Sequence, residues 1–214
     1  MNDLWPIIGL SLQVSGLAVI ISSVLGIPLG AWFGQSENRI RSMITPLIYT
    51  GMALPPVVVG LVLYILLSRE GPLGELGWLF TPQAMTLAQV ILALPFVVGI
   101  TMAAVAAVPR ELVPQLRSLG ASERQLRWTV LCEARAGVLL AIAAAFGRSI
   151  SEVGAVYIVG GNIIGHTRVL TTAIVLETSK GDFRFALALG AVLLVMALLV
   201  NLLILRCQGG RTPA

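Results

Sequence analysis

Residues 109–135, PRELVPQLRSLGASERQLRWTVLCEAR, form a polar and basic break in a chain that is otherwise strongly apolar. The chain has 214 residues, of which 57% are apolar and 11% are charged. So few charged side chains cannot keep a globule of this size in solution, and the sequence therefore predicts an integral membrane protein. The break is predicted to be a long loop outside the membrane.

Apolar segments lie on both sides of the break. A helix needs about 20 residues to cross roughly 30 Å of hydrocarbon, and five segments are long enough. They are residues 7–34, 44–68, 85–108, 137–159 and 185–205. All five are predicted to be helices, because a backbone in lipid must satisfy its own hydrogen bonds. No linker or repeat separates them, so residues 1–214 are predicted to form one membrane domain. The first segment follows Asp3 without a preceding Lys or Arg and is predicted to be a retained anchor.

The basic residues are distributed unevenly between the two sides of the predicted spans. Nine lie on one side: Arg39, Arg41, Arg110, Arg117, Arg124, Arg127, Arg135, Arg206 and Arg211. Four lie on the other: Arg69, Arg168, Lys180 and Arg184. The arginine-rich side is predicted to be cytoplasmic, which places the N-terminus outside and the C-terminus inside. Attraction of these arginines to membrane lipid accounts for the formal charge of +4, so no nucleic-acid partner is expected.

Two consecutive prolines, Pro55 and Pro56, lie in the middle of the second apolar segment. Proline lacks a backbone N–H and clashes with the preceding helical turn, so this segment is predicted to bend or break there. Such a bend is compatible with a gate and equally with a packed structural kink.

The polar break is predicted to contain two helices. The first runs from Glu111 to Leu119, Gly120 ends it, and Ser122 begins the second. Leu112, Leu116 and Leu119 recur at helical spacing and are expected to form an apolar knob for a protein partner. The alternative on this pattern is an amphipathic helix resting on the lipid surface.

The same residues resemble a known family signature. The run Glu111-Leu-x-x-Gln115-x-x-Ser118-Leu119-Gly120-Ala121-Ser122 is similar to the EAA loop of ABC-importer permeases. The resemblance implies that these residues dock in a cleft of a cytoplasmic ABC ATPase subunit: Glu111, Gln115, Ser118, Leu119, Gly120, Ala121 and Ser122. The family pattern continues to a proline, which is missing where this chain has Val130-Leu131-Cys132-Glu133.

Three further strings resemble the molybdate and tungstate branch of these permeases, and tungstate permeases most. They are FGRSISEVGA at 146–155, GGNI at 160–163 and TRVLTTAI at 167–174. The resemblance implies an all-α, type I importer (MetI-like) fold in the bacterial inner membrane. It also implies a homodimer with the path at its axis, and a periplasmic oxyanion-binding protein that delivers tungstate. Molybdate is the alternative substrate, and a passive channel or scaffold is the alternative class.

The fourth apolar segment combines small residues with two charges. Gly137, Ala141, Ala145 and Ser149 recur every four residues, a stripe that allows close helix approach within the chain or across a dimer, with the intrachain contact favoured. Arg148 and Glu152 are four residues apart and are expected to pair. An arginine near the middle of a span costs about 2.5–3.5 kcal/mol, so it is expected to be partnered or to face a cavity.

A path for an oxyanion needs hydrogen-bond donors and positive charge. The candidates are Arg148, Ser149, Ser151, Glu152, Thr171 and Thr172. For Arg148 and Glu152, a purely structural pair remains an equal alternative. The outer cations Arg168, Lys180 and Arg184 are expected to dock the acidic rim of the binding protein, and His166 is expected to be exposed.

The sequence predicts that the chain is not an enzyme. Its one lysine, Lys180, lies in TSKGD, which lacks the glycines and the hydroxyl residue of a phosphate-binding loop. ATP and Mg²⁺ are therefore expected to be used by the partner ATPase, with no cofactor in this chain. His166 has no companions for a metal site, and Glu152 is the one acid inside a predicted span, which argues against intramembrane catalysis.

Overall fold

The computed structural model describes residues 4–36 and 39–206, and within them the chain is all-α, as predicted. The helices are α1 (Leu4–Gln35), α2 (Arg39–Met52), α3 (Pro56–Leu67), α4 (Pro82–Ala106), α5 (Leu112–Ser118), α6 (Glu123–Glu133), α7 (Arg135–Ile150), α8 (Gly154–Gly160), α9 (Leu170–Ser179) and α10 (Phe183–Arg206). A short 3-10 turn, Gly74–Leu76, lies between α3 and α4. The predicted roles of Asp3 and Arg211 fall outside the described residues.

Three helices are long and apolar enough to cross a membrane, namely α1, α4 and α10. Their bounds coincide with the predicted spans 7–34, 85–108 and 185–205 to within a few residues. Two bent pairs also qualify by length and composition, α2 with α3 and α6 with α7. By length and composition the described chain therefore has three to five candidate spans, and the pair α6 with α7 differs from the predicted span 137–159 because it includes α6.

The second predicted span is broken where the prolines lie. α2 ends at Met52, α3 begins at Pro56, and the two helix axes differ by 92°. Pro56 occupies the first position of α3, where its missing N–H leaves no helical hydrogen bond unmade. The predicted break is confirmed.

The fourth predicted span, 137–159, was expected to be one helix, and that prediction is wrong. α7 ends at Ile150 and α8 begins at Gly154. With 16 residues α7 is about 24 Å long, short of a full crossing. The Glu152 carboxylate accepts a hydrogen bond from the Ala155 backbone N–H at 3.1 Å, which starts a new helix instead of continuing the old one. The following segment also contains a further helix, α9, whose first residues are buried.

α4 lies at the centre of the fold and packs against α1, α2, α3, α7 and α8. Its seam with α1 depends on glycines spaced four apart on α1. A Cβ added at Gly30 would lie 2.6 Å from the Val98 carbonyl oxygen, and one at Gly34 would lie 2.7 Å from Val105 Cβ. Small residues thus bring the two backbones close together, as they do at helix contacts in lipid.

The stripe on α7 faces the same central helix. A Cβ on Gly137 would lie within contact of Ala104 on α4, and Ala141, Ala145 and Ser149 are buried within the chain. The favoured prediction of an intrachain seam is confirmed.

A small apolar cluster fixes the two helices of the polar break to the rest of the fold. Its buried members are Ala31 of α1, Val105 of α4, Val130 of α6 and Ala134. Leu112 of α5 packs against it. The break is therefore a firmly attached pair of short helices.

Candidate functional site

The turn between α5 and α6 has the geometry of a glycine-terminated helix. The Ala121 N–H donates to the Leu116 carbonyl at 3.1 Å, and the Gly120 N–H donates to the Arg117 carbonyl at 3.0 Å. Gly120 has a φ of +81°, in the left-handed region that favours glycine. These two hydrogen bonds together form a Schellman motif, which sets the direction in which the chain leaves α5.

A capping box begins α6 immediately afterwards. The Ser122 N–H donates to Gln125 Oε1 at 2.8 Å, and the Gln125 N–H donates to Ser122 Oγ at 3.4 Å. Arg117 and Glu123 form a salt bridge of 2.9 Å across the turn. Both of these side chains are exposed, so the pair contributes at most about 1 kcal/mol. Local bonds of the turn itself therefore define its shape.

The predicted knob of three leucines is wrong. Leu112 packs inward on the core cluster and Leu116 is half-buried, whereas Leu119 is 83% exposed at the tip of the turn. Because Leu112 packs against the core cluster beneath α5, it does not face a protein partner. The other residues of the predicted coupling segment are all at least partly accessible to solvent. Ala121 is half-buried, and the rest are exposed, namely Glu111, Gln115, Ser118, Gly120 and Ser122.

A second group of predicted residues meets at the break between α7 and α8. Arg148 Nη1 lies 2.6 Å from Glu152 Oε2, which confirms the predicted pair. The Thr171 hydroxyl donates to the Glu152 backbone carbonyl at 2.8 Å and so ties α9 to the break. The Glu152 side chain is 2% exposed and that of Arg148 24%. The positive member of the pair therefore retains access from outside the helix bundle, and the negative member does not.

Gln89 of α4, which the sequence analysis did not single out, lies beside this pair. Its Nε2 donates to the Ser149 carbonyl at 3.0 Å, and both residues are buried. Among the described residues, Gln89 Oε1 and Ser149 Oγ have no hydrogen-bond partner. An isolated amide in the apolar run 85–108 was the signal that could have identified Gln89.

The hydroxyls of the other two predicted path residues, Ser151 and Thr172, bond to local backbone groups. Ser151 is exposed and donates to the Gly147 carbonyl at 2.7 Å. Thr172 is fully buried, and its hydroxyl bonds to the backbone of Val169, where it caps α9. The Leu170 N–H at the start of α9 donates to Ser11 Oγ of α1 at 2.9 Å. Thr172 and Ser11 thus hold α9 in place.

The three predicted docking cations differ in their surroundings. Arg168 is half-buried, and its Nε donates to Asn162 Oδ1 at 3.1 Å, which fixes the loop between α8 and α9. Lys180 pairs with Glu177 at 2.8 Å. Arg184 is exposed at the start of α10, and His166 is exposed as expected.

Residues 26–209 match the model of the family described as binding-protein-dependent transport system inner membrane component. The chain belongs to this family. It is therefore a permease subunit of an ABC importer, a non-catalytic, multi-pass component of the inner membrane that works with an ATPase and a binding protein.

Two curated relatives of this permease are similar along almost their whole length. A probable anion ABC transporter permease protein of Haloferax volcanii is 46% identical over 100% of this chain and 94% of the relative. The tungstate uptake system permease protein TupB of Peptoclostridium acidaminophilum is 42% identical over 96% of this chain and 90% of the relative. These relatives confirm the branch of ABC permeases that the strings at 146–174 indicated.

A solved structure confirms the permease fold. The crystal structure of an amino acid ABC transporter with histidines superimposes with a TM-score of 0.65 at 20% identity. The match covers 92% of this chain and 89% of the other. It is evidence for the fold alone, and it agrees with the predicted fold class of an importer permease.

Proposed function

We propose that this permease carries a tetrahedral oxyanion, tungstate, into the cell. The observation that carries the proposal is the nearly full-length similarity to a tungstate uptake permease. The similarity to an anion permease supports an anionic substrate by a second, independent relative. Molybdate has the same charge and shape and is the alternative substrate within the class.

Arg148 supplies the positive charge that a dianion needs along its path. It lies at a helix break, it is the accessible member of its ion pair, and the unpartnered Ser149 hydroxyl is on the same helix. The pair weakens the attraction of Arg148 for a passing anion, because Glu152 already neutralises it. A weak and transient site suits a transporter whose binding protein performs the high-affinity capture.

The α5–turn–α6 segment transmits the work of the ATPase. Its coupling residues are Glu111, Gln115, Ser118, Leu119, Gly120, Ala121 and Ser122. Leu119 enters an apolar depression on the ATPase subunit, and the capped turn holds it at a fixed distance from the core cluster around Val105 and Val130. ATP and Mg²⁺ are bound by that subunit, and this chain contributes no cofactor.

The distribution of its arginines supports an orientation with the N-terminus outside, residues 109–135 in the cytoplasm and the C-terminus inside. Two copies enclose the path across a twofold axis, the commonest symmetry of oligomers. On the outer face Arg184 is the cation best placed to meet the binding protein, because it is exposed, whereas Arg168 and Lys180 already have partners.

Uptake by the reconstituted complex tests this function. Vesicles containing the permease, its ATPase and its binding protein are expected to transport labelled tungstate only when ATP is present on the side of the membrane that carries the ATPase. Unlabelled molybdate should compete less well than unlabelled tungstate, and sulfate least. Stronger competition by molybdate would assign the alternative substrate. Equal uptake without ATP would instead assign a passive channel.

A further inference from the structure

A cleft opens beside the coupling segment. Its volume is about 1430 Å³, and its walls come from the end of α1, the start of α2, the end of α4, and the helices α5 and α6. The cleft is therefore built jointly by the membrane-spanning part of the permease and by the two helices proposed to meet the ATPase.

The lining of the cleft is strongly basic. Among the residues that the structure describes, the lining contains five arginines and one glutamate: Arg41, Arg110, Arg117, Arg124, Arg127 and Glu123. The glutamate is paired with Arg117, and Arg124 and Arg127 carry positive charge beyond that pair. Arg124 and Arg127 are exposed on consecutive turns of α6. This charge favours an anionic group in the cleft.

The cleft also has an apolar side that continues along α1. Ile21, Leu25, Pro28 and Trp32 are exposed at spacings of three and four residues, which places them on one face of the helix. Pro28 and Trp32 at the end of this face line the cleft, and Trp128 lines it from α6. Tryptophan favours the level of lipid headgroups, where an apolar ring meets a polar boundary. The cleft thus joins an apolar surface to a cluster of positive charge at a membrane boundary.

We propose that this cleft binds the headgroup of an anionic phospholipid of the inner leaflet, with its acyl chains along the exposed face of α1. The phosphate meets Arg124 and Arg127, and Trp32 and Trp128 flank the glycerol region. Basic pockets between helices at the cytoplasmic surface are suited to such headgroups. The proposal rests on the cytoplasmic placement of residues 109–135. Lipid bound in the cleft would also stabilise the position of α6 relative to α1.

Quenching of tryptophan fluorescence by brominated lipid tests this site in the isolated full-length permease. Replacing Trp5 and Trp78 with Phe leaves the two tryptophans of the cleft as the fluorophores. Vesicles are compared that contain equal fractions of brominated phosphatidylglycerol or brominated phosphatidylcholine in unlabelled phosphatidylcholine. The anionic lipid is expected to quench more strongly, and Arg124→Gln with Arg127→Gln should lower its apparent affinity about 25-fold, because each arginine contributes about fivefold.

Two further double variants serve as controls for the lipid preference. Arg124→Lys with Arg127→Lys should retain most of the preference, and the outer-face pair Arg69→Gln with Arg184→Gln should leave it unchanged. Equal quenching by both lipids, or an unchanged preference in the Arg124 and Arg127 glutamine variant, would overturn the proposal. So would displacement by millimolar inorganic phosphate or tungstate, which would indicate a site for a free anion, or by saturating ATPase subunit, which would assign the cleft to that protein. Because no uptake is measured, failure here is distinct from failure of the tungstate assignment.

Discussion

Arg148 and Glu152 form an ion pair of 2.6 Å at the point where α7 stops and α8 begins. The two Glu152 oxygens have different partners: Oε2 meets Arg148, and Oε1 accepts the Ala155 N–H at the start of α8. Glu152 is thereby anchored to α8 independently of Arg148. The arginine has the greater freedom to exchange its partner, which is the property expected of a residue on an anion path.

Neutralising Arg148 is predicted to lower oxyanion uptake more than it lowers assembly. Arg148→Ala leaves the buried Glu152 carboxylate unpaired, at a stability cost of about 3 kcal/mol. The variant Arg148→Met with Glu152→Gln avoids that cost by removing both charges. Uptake by this double variant is expected to fall at least tenfold while the complex purifies intact.

Glu152→Gln alone separates a path role from a structural one. It breaks the ion pair but keeps the charge on Arg148, so it should retain clearly more uptake than the double variant. Equal losses in the two variants, measured as initial rates per assembled complex, would make the pair purely structural.

Gly120→Leu is predicted to uncouple the complex without preventing membrane insertion. The left-handed φ of +81° costs about 1–2 kcal/mol for a residue with a side chain, enough to redirect the turn. Gly165→Leu is a matched control, because Gly165 has a φ of +73° and, like Gly120, open space around its Cβ position. ATPase stimulation and uptake should be lost in the first variant and kept in the second. Normal coupling in Gly120→Leu would contradict the proposed docking role.

The sequence predicted those features whose causes are local. Gly120 and Ser122 mark the turn of the polar break, and Pro55 with Pro56 marks the break between α2 and α3, because each residue acts on its own backbone. Leu112 could not be placed, because helical spacing is the same whether a leucine faces a partner or the core.

The features that the sequence did not predict depend on distant contacts. The start of α9 is held by Ser11, which is 159 residues away from Leu170 in the chain. The break after Ile150 contains no proline and depends on how the Glu152 carboxylate is shared between Arg148 and Ala155. Gln89 belongs to the site because the packing of α4 against α7 brings its amide to the Ser149 carbonyl. Each of these needs the tertiary arrangement before its cause is visible.

Gly30→Val is predicted to destabilise the seam between α1 and α4. The added side chain would meet the Val98 carbonyl and Thr101 Cβ at 2.6 and 2.8 Å, so the helices must separate, at a cost of about 1–3 kcal/mol. Gly16→Val is the control within the same helix, because nothing lies within 4 Å of its Cβ position. Thermal unfolding in detergent should show a lower midpoint for the first variant alone. Identical midpoints would mean that α1 can move away from α4 without loss of thermal stability.

Leu119→Asp is predicted to weaken association with the ATPase while leaving the permease itself as stable as before. Leu119 is 83% exposed, so its replacement changes the free energy of unfolding by no more than about 0.5 kcal/mol. A carboxylate in the proposed apolar depression of the ATPase is costly, since the charge loses its water without gaining a partner. The dissociation constant for the ATPase subunit should rise tenfold or more.

Ile164→Asp, at a similarly exposed residue between α8 and α9, tests whether any exposed apolar-to-acid change has this effect. An unchanged dissociation constant in Leu119→Asp, with Gly120→Leu still uncoupled, would restrict the contribution of the turn to its backbone shape.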